Sequence, residues 1–406
     1  MRATGAGVLD SSYSWFRLAA TLAIATVGSA GMWAVVVVMP SLQAEFGLDR
    51  AGASLPYVAT MVGFAVGNLV IGRAVDRFGV TVALSVAAFV LAVSFAAAAA
   101  APSAAVVLGA HVVLGLATGA SFAPLIADVS HWFSRRRGIA IALAASGNYA
   151  AGAVWPIVIG SILGVADWRV AYLVLAGIVI VVILPMALFL RRRVPPEATA
   201  HADAISTANR RSADLSLGTL QTLMAIAGVA CCVAMAMPQV HMVALAIDMG
   251  CTPVVGAQIL SVMLAGGFVS RVAFGLVADR LGGAMTLIVG STLQCFALAL
   301  FLPAEGVTAL FVVSLVFGLS QGGIVPSYAV LVREYFPAGE AGSRIGFVIM
   351  VTIVGMALGG WLAGVIHDMS GSYTLAFVNG IAWNVLNIAI MLTIIARTRS
   401  PRRALA

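Results

Sequence analysis

The chain contains no lysine and little charge of either sign. Charged residues occupy 9% of its 406 positions, and all 22 of its strongly basic side chains are arginine. A soluble domain carries charge at about a quarter of its positions, so an ordinary soluble protein is excluded. The net charge of +7 lies in short loops between apolar segments rather than on one basic face. It therefore indicates membrane topology, and we predict no nucleic-acid partner.

Cysteine is also scarce, and the sequence shows no cluster of catalytic side chains. The four cysteines lie in the second half, three of them inside apolar segments, which is typical of small buried residues. No grouping of histidine, cysteine, serine or carboxylates indicates an active site. We therefore predict a protein that is not an enzyme, with no catalytic residue, no metal and no cofactor.

Apolar segments make up most of the chain, which is 62% hydrophobic. Twelve of them are long enough to cross a bilayer as helices. The first starts near Trp15 and is longer than the core of a signal peptide, so we expect it to be retained. The sequence predicts an all-α membrane protein with helices at approximately 17–40, 52–72, 81–101, 104–128, 138–162, 168–190, 219–246, 253–278, 284–303, 307–332, 343–367 and 373–396.

One polar segment separates the sixth predicted helix from the seventh. We expect an N-terminal six-helix bundle at 1–190, a cytoplasmic linker at 191–216 and a C-terminal six-helix bundle at 217–406. If both termini are cytoplasmic, all but three of the 22 arginines lie on the cytoplasmic side or in the linker, as the positive-inside rule favours. The alanine- and arginine-rich composition is typical of bacterial coding, which suggests a bacterial inner membrane.

The two predicted halves repeat each other at an offset of 203 residues. The turn at 72–79 matches the turn at 275–282 in both glycines, the aspartate and the arginine. Because both turns lie on the same side of the membrane, the repeat is parallel, about an axis along the membrane normal. Further residues match at the same offset: Gly115, Gly119 and Phe133 with Gly318, Gly322 and Phe336.

These turns resemble the signature of the major facilitator superfamily, in which a Gly-x-x-x-Asp-Arg-x-Gly turn follows the second and the eighth helix. The resemblance covers nearly the whole chain. It implies two parallel six-helix repeats around a central cavity, transport by alternating access, and a functional monomer. We expect the glycines to allow close helix approach. The resemblance implies a cytoplasmic gate formed by Gly72, Asp76, Arg77, Gly79, Gly275, Asp279, Arg280 and Gly282.

Within that superfamily, the chain resembles the monocarboxylate transporters and the oxalate/formate antiporters. The likeness lies in the turn at 132–138, in the glycines, Asp368 and Tyr373 of the stretch 359–373, and in Arg271. That group places a substrate-binding arginine in the eighth helix. The resemblance therefore implies that Arg271 binds a small organic anion.

Arg271 is a permanent charge inside an apolar segment, 253–278. Arginine near a bilayer centre costs about 2.5–3.5 kcal/mol on insertion scales and usually faces a bundle interior or a wet cavity. Asp279 lies about 12 Å further along the helix, too far to neutralise it directly. A transported carboxylate could therefore complete a bidentate pair with the guanidinium. The alternative is an arginine bonded to backbone carbonyls or water at an ordinary helix contact.

The repeat places Asn68 at the position equivalent to Arg271. One half then supplies a cation and the other a neutral donor, which fits a monoanion better than a dianion. Oxalate-type antiporters carry a second base in the eleventh helix, whereas this chain offers Arg344 and His367 only at the ends of the segment 343–367. A dicarboxylate is therefore less well matched.

The route of proton coupling known in animal monocarboxylate carriers does not transfer to this chain. They place an aspartate one turn before the arginine, where this chain has Gly267, and a lysine late in the first helix, where it has valines. An unperturbed imidazole titrates near pH 6.5, so His241 is the best candidate for a co-transported proton. His241 could instead be structural or bond the substrate.

Several polar and aromatic side chains are candidates for lining the substrate path. Tyr328 could donate to a carboxylate or belong to the core. Trp33 could form an apolar wall. The predicted substrate-binding residues are Arg271, Asn68, His241, Tyr328, Gln321, Asn148, Tyr149 and Trp33.

The best-supported function is secondary transport of a small organic anion, most specifically a monocarboxylate, through a lipid bilayer. Two alternatives stay open. A drug or organic-cation exporter of the same fold would need a carboxylate in mid-span and, by resemblance, a Gly-Pro pair in the fifth helix, where Trp155 precedes Pro156. A dicarboxylate or other anion antiporter would need a second base.

Overall fold

The computed structural model describes residues 9–133, 136–192, 212–213, 215–336 and 338–399. Within them, twelve apolar helical spans are long enough to cross a membrane, which confirms the predicted all-α membrane architecture. Spans 1 to 12 are, in chain order, Ser12–Phe46, Arg50–Val75, Val80–Ala99, Ala104–Val129, Ile139–Leu163, Trp168–Phe189, Leu217–Asp248, Pro253–Ala278, Gly283–Phe301, Gly306–Tyr335, Arg344–Ser370 and Thr374–Ala396.

Four spans are broken into two helices each, at Ser29 in span 1, Gly119–Ser121 in span 4, Ser146 in span 5 and Gly322 in span 10. Small residues occupy the breaks, and all four breaks are buried in protein, which is where membrane proteins tolerate irregular backbone.

The helices of the described residues are α1 (Ser12–Gly28), α2 (Ala30–Phe46), α3 (Arg50–Phe78), α4 (Val80–Ala99), α5 (Ala104–Thr118), α6 (Ala123–Ser130), α7 (Arg137–Ala145), α8 (Gly147–Leu163), α9 (Trp168–Phe189), α10 (Leu217–Asp248), α11 (Pro253–Leu281), α12 (Gly283–Phe301), α13 (Gly306–Gln321), α14 (Ile324–Tyr335), α15 (Ala338–Ser370) and α16 (Thr374–Ala396).

The 203-residue repeat has a structural counterpart in the packing of spans 2 and 4 and of spans 8 and 10. Gly115 packs directly on the backbone of Thr60, and Gly318 packs in the same way on Met263, the residue equivalent to Thr60. A Cβ atom at either glycine would overlap the carbonyl it faces. Glycine at these two positions therefore lets the backbones of equivalent spans touch in both halves.

The two ends of the bundle differ in what they carry. Span 1 begins and spans 6 and 12 end at one end, which we call the linker end. There Ser212–Ala213 pairs antiparallel with Thr398–Arg399 as two short strands, β1 and β2. We call the opposite end, where span 2 begins, the Arg50 end.

Spans 1–6 meet spans 7–12 mainly along two pairs of spans, span 2 with span 11 and span 5 with span 8, and span 1 also contacts span 7. Near the Arg50 end, a Cβ atom at Gly364 would lie 2.9 Å from the carbonyl oxygen of Arg50. A Cβ atom at Gly160 would lie 2.8 Å from the side-chain Cβ atom of Ala257. The two halves are thus in backbone contact here, and the Arg50 end is closed.

Candidate substrate site

Arg271 lies in span 8 and is 5% exposed. Its Nε donates to the carbonyl of Gly322 at 3.0 Å, and its Nη1 donates to the carbonyl of Ala145 at 2.6 Å. Both carbonyls belong to helix breaks, in span 10 and span 5. Because a break leaves carbonyls without helical partners, a guanidinium is well suited to both positions. Gly322 is in the same half as Arg271 and Ala145 is in the other, so the side chain joins the halves.

The ring of Tyr149 covers the guanidinium of Arg271. The guanidinium carbon lies 4.4 Å from the ring centroid, which is cation–π geometry. The same ring lies against Gly267, where an added Cβ would be 2.6 Å from ring carbons. Tyr149 therefore fills the space that an aspartate at position 267 would need, which is the physical reason this chain has glycine there.

The groups that contact the guanidinium of Arg271 among the described residues are uncharged. Among the ion pairs of the described residues, none joins this guanidinium to a carboxylate. Two carbonyl oxygens and one aromatic ring supply its contacts. The backbone-bonded geometry that the sequence left open is therefore present, and it leaves a buried positive charge able to attract an anion.

Asn68, the repeat partner of Arg271, is bonded within its own half. Its Nδ2 donates to the carbonyl of Phe64 at 2.8 Å, and its Oδ1 accepts from the backbone nitrogen of Ala123 at 3.1 Å. Ala123 follows the break in span 4. Asn68 thus joins span 2 to a helix break just as Arg271 joins span 8 to one, but without charge.

Trp33 and Asn148 lie next to Tyr149 in the first half. The Nε1 of Trp33 donates to the backbone carbonyl of Asn148 at 2.9 Å and lies 3.0 Å from its side-chain oxygen. Gly152, one turn further along span 5, packs against both Trp33 and Leu264 of span 8. Spans 1, 5 and 8 therefore meet one turn from Tyr149, whose ring covers the guanidinium.

Gln321 and Tyr328 are placed inside the second half. Gln321 Oε1 accepts from Nε2 of Gln239 at 2.7 Å, and the remaining polar atoms of this amide pair are buried without a partner in the described structure. Tyr328 is fully buried, and its hydroxyl lies 3.5 Å from the sulfur of Cys231. Sequence reasoning missed Gln239, although its position directly after Pro238 marks a point where span 7 has a free carbonyl.

His241 lies in span 7 toward the Arg50 end. Its Nε2 is 2.7 Å from the carbonyl of Gly360 and its Nδ1 is 3.0 Å from the hydroxyl of Tyr373. Because a carbonyl can only accept, Nε2 carries the proton and Nδ1 accepts from the tyrosine. Counting residues from the Arg50 end, His241 is offset from Arg271 by about 16 Å along the bundle at 1.5 Å per residue. The structure does not bring these two predicted residues together.

The duplicated turns at the linker end contain glycines of two kinds. Gly79 and Gly282 have φ of 88° and 79°, a conformation that favours glycine. Gly72 and Gly275 would place an added Cβ in open space, with no atom within 4 Å. The close helix approach expected at these last two positions is therefore not present in this conformation.

The arginines of these turns, Arg77 and Arg280, are exposed. The guanidinium of Arg77 lies 5.2 Å from the ring of Phe78. The carboxylates of Asp76 and Asp279 lie outside the described residues. Their predicted part in a gate therefore stays a prediction.

The Arg50 end carries a charged contact between the halves that the sequence did not predict. Arg50 forms an ion pair with Asp248 at the end of span 7, and its Nη1 donates to Gln43 at 2.7 Å. The carboxylate of Asp368, from span 11, accepts from the backbone nitrogens of Arg50 at 3.1 Å and Ala51 at 2.8 Å. Asp368 thus caps the first turn of span 2 from the opposite half.

Twelve spans in two repeated halves, joined by a buried arginine, define a multi-pass membrane transporter. The model of the Major Facilitator Superfamily matches residues 21–304 and 222–406, so the chain belongs to that family. The predicted family is confirmed.

Some of the relatives that this chain resembles are monocarboxylate transporters, and others are named only as transporters of the same superfamily. The chain is 28% identical to monocarboxylate transporter 13 of Bos taurus over 292 residues, 70% of this chain and 67% of that protein. It is 27% identical to monocarboxylate transporter 11 of Homo sapiens over 399 residues, 92% of this chain and 81% of that protein. A bacterial homologue of the human lysosomal transporter Spinster, in an inward-facing and occupied conformation, has a TM-score of 0.71 over 97% of this chain and 100% of that chain at 13% identity, which shows the shared fold.

Proposed function

We propose that this protein is a secondary transporter that moves a small organic anion, most specifically a monocarboxylate, across the membrane by alternating access. The observation that carries the proposal is the guanidinium of Arg271, buried and surrounded by neutral groups among the described residues. A carboxylate supplies the missing charge. The similarity to proteins named monocarboxylate transporters supports this class of substrate.

The two bonds of Arg271 suggest how binding promotes movement. The bond from Nε to Gly322 stays inside the second half and fixes the guanidinium, whereas the bond from Nη1 to Ala145 crosses to the first half. A carboxylate competes for the Nη atoms, because an anionic acceptor attracts a guanidinium more strongly than a neutral carbonyl does and can accept two parallel bonds from it. Binding then removes one bond between the two halves. It shifts the equilibrium between the two states of alternating access by the difference in the substrate's affinity for them.

The other predicted residues differ in how directly they reach the substrate in this proposal. Tyr149, Trp33 and Asn148 form the wall beside the carboxylate. Asn68, Gln321 and Tyr328 reach a substrate only by exchanging the bonds they make here. His241 lies toward the Arg50 end, away from the carboxylate, and bonds Gly360 and Tyr373.

In this proposal the protein works as a monomer in a bacterial inner membrane, with the linker end in the cytoplasm. The duplicated turns then form the cytoplasmic gate. The Arg50 end faces the outside.

The two alternative functions have less support. An organic-cation exporter needs a carboxylate in mid-span, and the carboxylate of Asp128 in span 4 is already paired with Arg17 at 2.7 Å. A dicarboxylate carrier needs a second cation near Arg271, and the bonds of Asn68 show the equivalent position occupied by an engaged amide.

Uptake by purified protein in liposomes tests the proposal with a panel of labelled monocarboxylates, dicarboxylates and organic cations. We expect Arg271→Gln to abolish monocarboxylate uptake, and Arg271→Lys to reduce it because an ammonium cannot hold Gly322 and a bidentate carboxylate together. Arg397→Gln, at an exposed arginine outside the spans, is the control and should transport normally. Normal uptake by Arg271→Gln, or transport of cations alone, would overturn the proposal.

A further inference from the structure

The charged contact at the Arg50 end is divided unequally between the two halves. Asp248 and Asp368 belong to the second half, and Arg50, with the first turn of span 2, belongs to the first. In the closed state, one cation and the positive end of a helix therefore face two carboxylates. Opening this end separates them and leaves the two carboxylates without their partners from the first half.

His367 lies between the same two carboxylates. Its Nε2 is 3.6 Å from Asp248 Oδ2, its Nδ1 is 3.8 Å from Asp368 Oδ1, and its side chain is 19% exposed. The ring of Tyr373 covers one face of the imidazole at 4.4 Å between centroids. A neutral imidazole has one N–H, whereas an imidazolium has two. Only the protonated form can donate toward both carboxylates.

The remaining neighbours add no mobile charge to this group. Gln43, which accepts from Arg50, is neutral. Burial raises the pKa of Tyr373, so its hydroxyl stays protonated. His241, whose ring also contacts Tyr373, bonds a hydroxyl and a carbonyl. The charges that face His367 are therefore Asp248, Asp368 and Arg50.

Arg50 and a protonated His367 compete for the same carboxylates. While the end is closed, Arg50 holds Asp248 and opposes a second positive charge beside it. Once Arg50 withdraws, His367 is left between two unpaired carboxylates of its own half, so a proton binds there more tightly. By linkage, a proton that prefers the open state favours opening.

We propose that His367 is a proton-binding site whose protonation opens the Arg50 end, by exchanging Arg50 for an imidazolium as the partner of Asp248 and Asp368. The proton enters from solvent, through a cavity of about 280 Å³ lined by His367, Asp248 and Tyr373 among others. The closed end is favoured at high pH and loses stability as pH falls. This inference rests on the alternating access of the proposed function and not on the identity of the substrate.

Distances between two spin labels across the Arg50 end test this without substrate. Val165 in the first half and Val307 in the second are exposed and can be changed to labelled cysteines, with Cys251→Ser and Cys295→Ser as background. In the reconstituted full-length protein, we expect the label-to-label distances to lengthen as pH falls from about 8 to about 5.5, across the range of an ordinary imidazole.

Substitutions test whether His367 is the residue that responds to pH. His367→Gln should keep the short distances at every pH, because a glutamine cannot take up charge. His241→Gln should keep the wild-type pH response. Arg50→Gln, a second variant in case His367→Gln folds poorly, should give long distances at every pH, since the contact with Asp248 is lost.

The proposal would be overturned by an unchanged distance in the wild-type protein, by a shortening at low pH, or by a normal pH response in His367→Gln. Loss of the response in His241→Gln alone would do so as well. Arg271→Gln distinguishes substrate pairing at Arg271 from proton binding at His367, because this variant should lose uptake yet keep the pH response. A failure of substrate pairing is then distinguishable from a failure of the proton site.

Discussion

The Nη1 atom of Arg271 donates to the carbonyl oxygen of Ala145 at 2.6 Å, across the boundary between the two halves. The substrate arginine of the proposal is therefore also a structural tie. A carboxylate that takes this donor acts on the packing of the halves as well as on the charge.

Tyr149 supports the guanidinium through its ring. Replacing it by phenylalanine keeps the cation–π contact, and we expect uptake close to normal. Tyr149→Ala removes the contact, worth about 0.5–2 kcal/mol, and should raise KM for the anion several-fold. Equal loss of uptake in the two variants would show that the hydroxyl, and not the ring, carries the role.

Gly267→Asp places a carboxylate one turn from Arg271. We expect it to displace the ring of Tyr149 and pair with the arginine, so that it competes with the anion and lowers uptake. Gly267→Ala is the control, because it causes the same overlap with Tyr149 without charge. If the two variants lose equal activity, steric displacement alone explains the effect. Uptake at several anion concentrations distinguishes competition from loss of folded protein.

The ion pair of Arg17 and Asp128 should dominate the stability of the first half. Arg17 is 2% exposed, and it forms two bonds to the carboxylate, at 2.8 and 2.7 Å. Asp128→Asn leaves a buried guanidinium without its counter-ion and should cost about 3 kcal/mol. Glu45→Gln breaks a more exposed pair with Arg169 and should cost about 0–1 kcal/mol. Thermal unfolding in detergent compares them, and a similar midpoint for both variants would contradict this expectation.

Gly318→Ala should destabilise the second half, since its Cβ overlaps the carbonyl of Met263 across the contact of spans 8 and 10. Overpacking of this kind costs about 1–3 kcal/mol. Gly275→Ala is the matched change in open space and should leave thermal stability the same or slightly higher. A normal unfolding midpoint for Gly318→Ala would show that the spans can separate without cost.

The architecture and part of the site could be predicted from local sequence. Span length, the offset of 203 residues and the resemblance carried by the glycine turns lead to the twelve-helix fold, and a charge in an apolar segment identifies Arg271. The contacts could not be predicted in the same way. Gln239 meets Gln321 across 82 positions, and Arg50 meets Asp368 across 318, so these pairs exist only once the spans are packed.

Two glycines of the linker-end turns, Gly72 and Gly275, do not make the close helix contact that was predicted for them. Glycine permits close helix contact, and that role is filled at Gly115 and Gly318 rather than at Gly72 and Gly275. The sequence pattern alone did not distinguish a glycine that is in contact from one that leaves space.

Asn68 and Arg271 occupy equivalent positions, and each joins its span to a helix break two spans further along. An ancestral unit of six spans, before its duplication, would have needed only a polar side chain at this place to hold the break. In the proposed function, the charged copy also binds the substrate anion, while the neutral copy only holds its break. The two halves of this protein are thus alike in construction and unlike in charge at this position, and a symmetric hybrid with two copies of the first half would lack the proposed substrate cation.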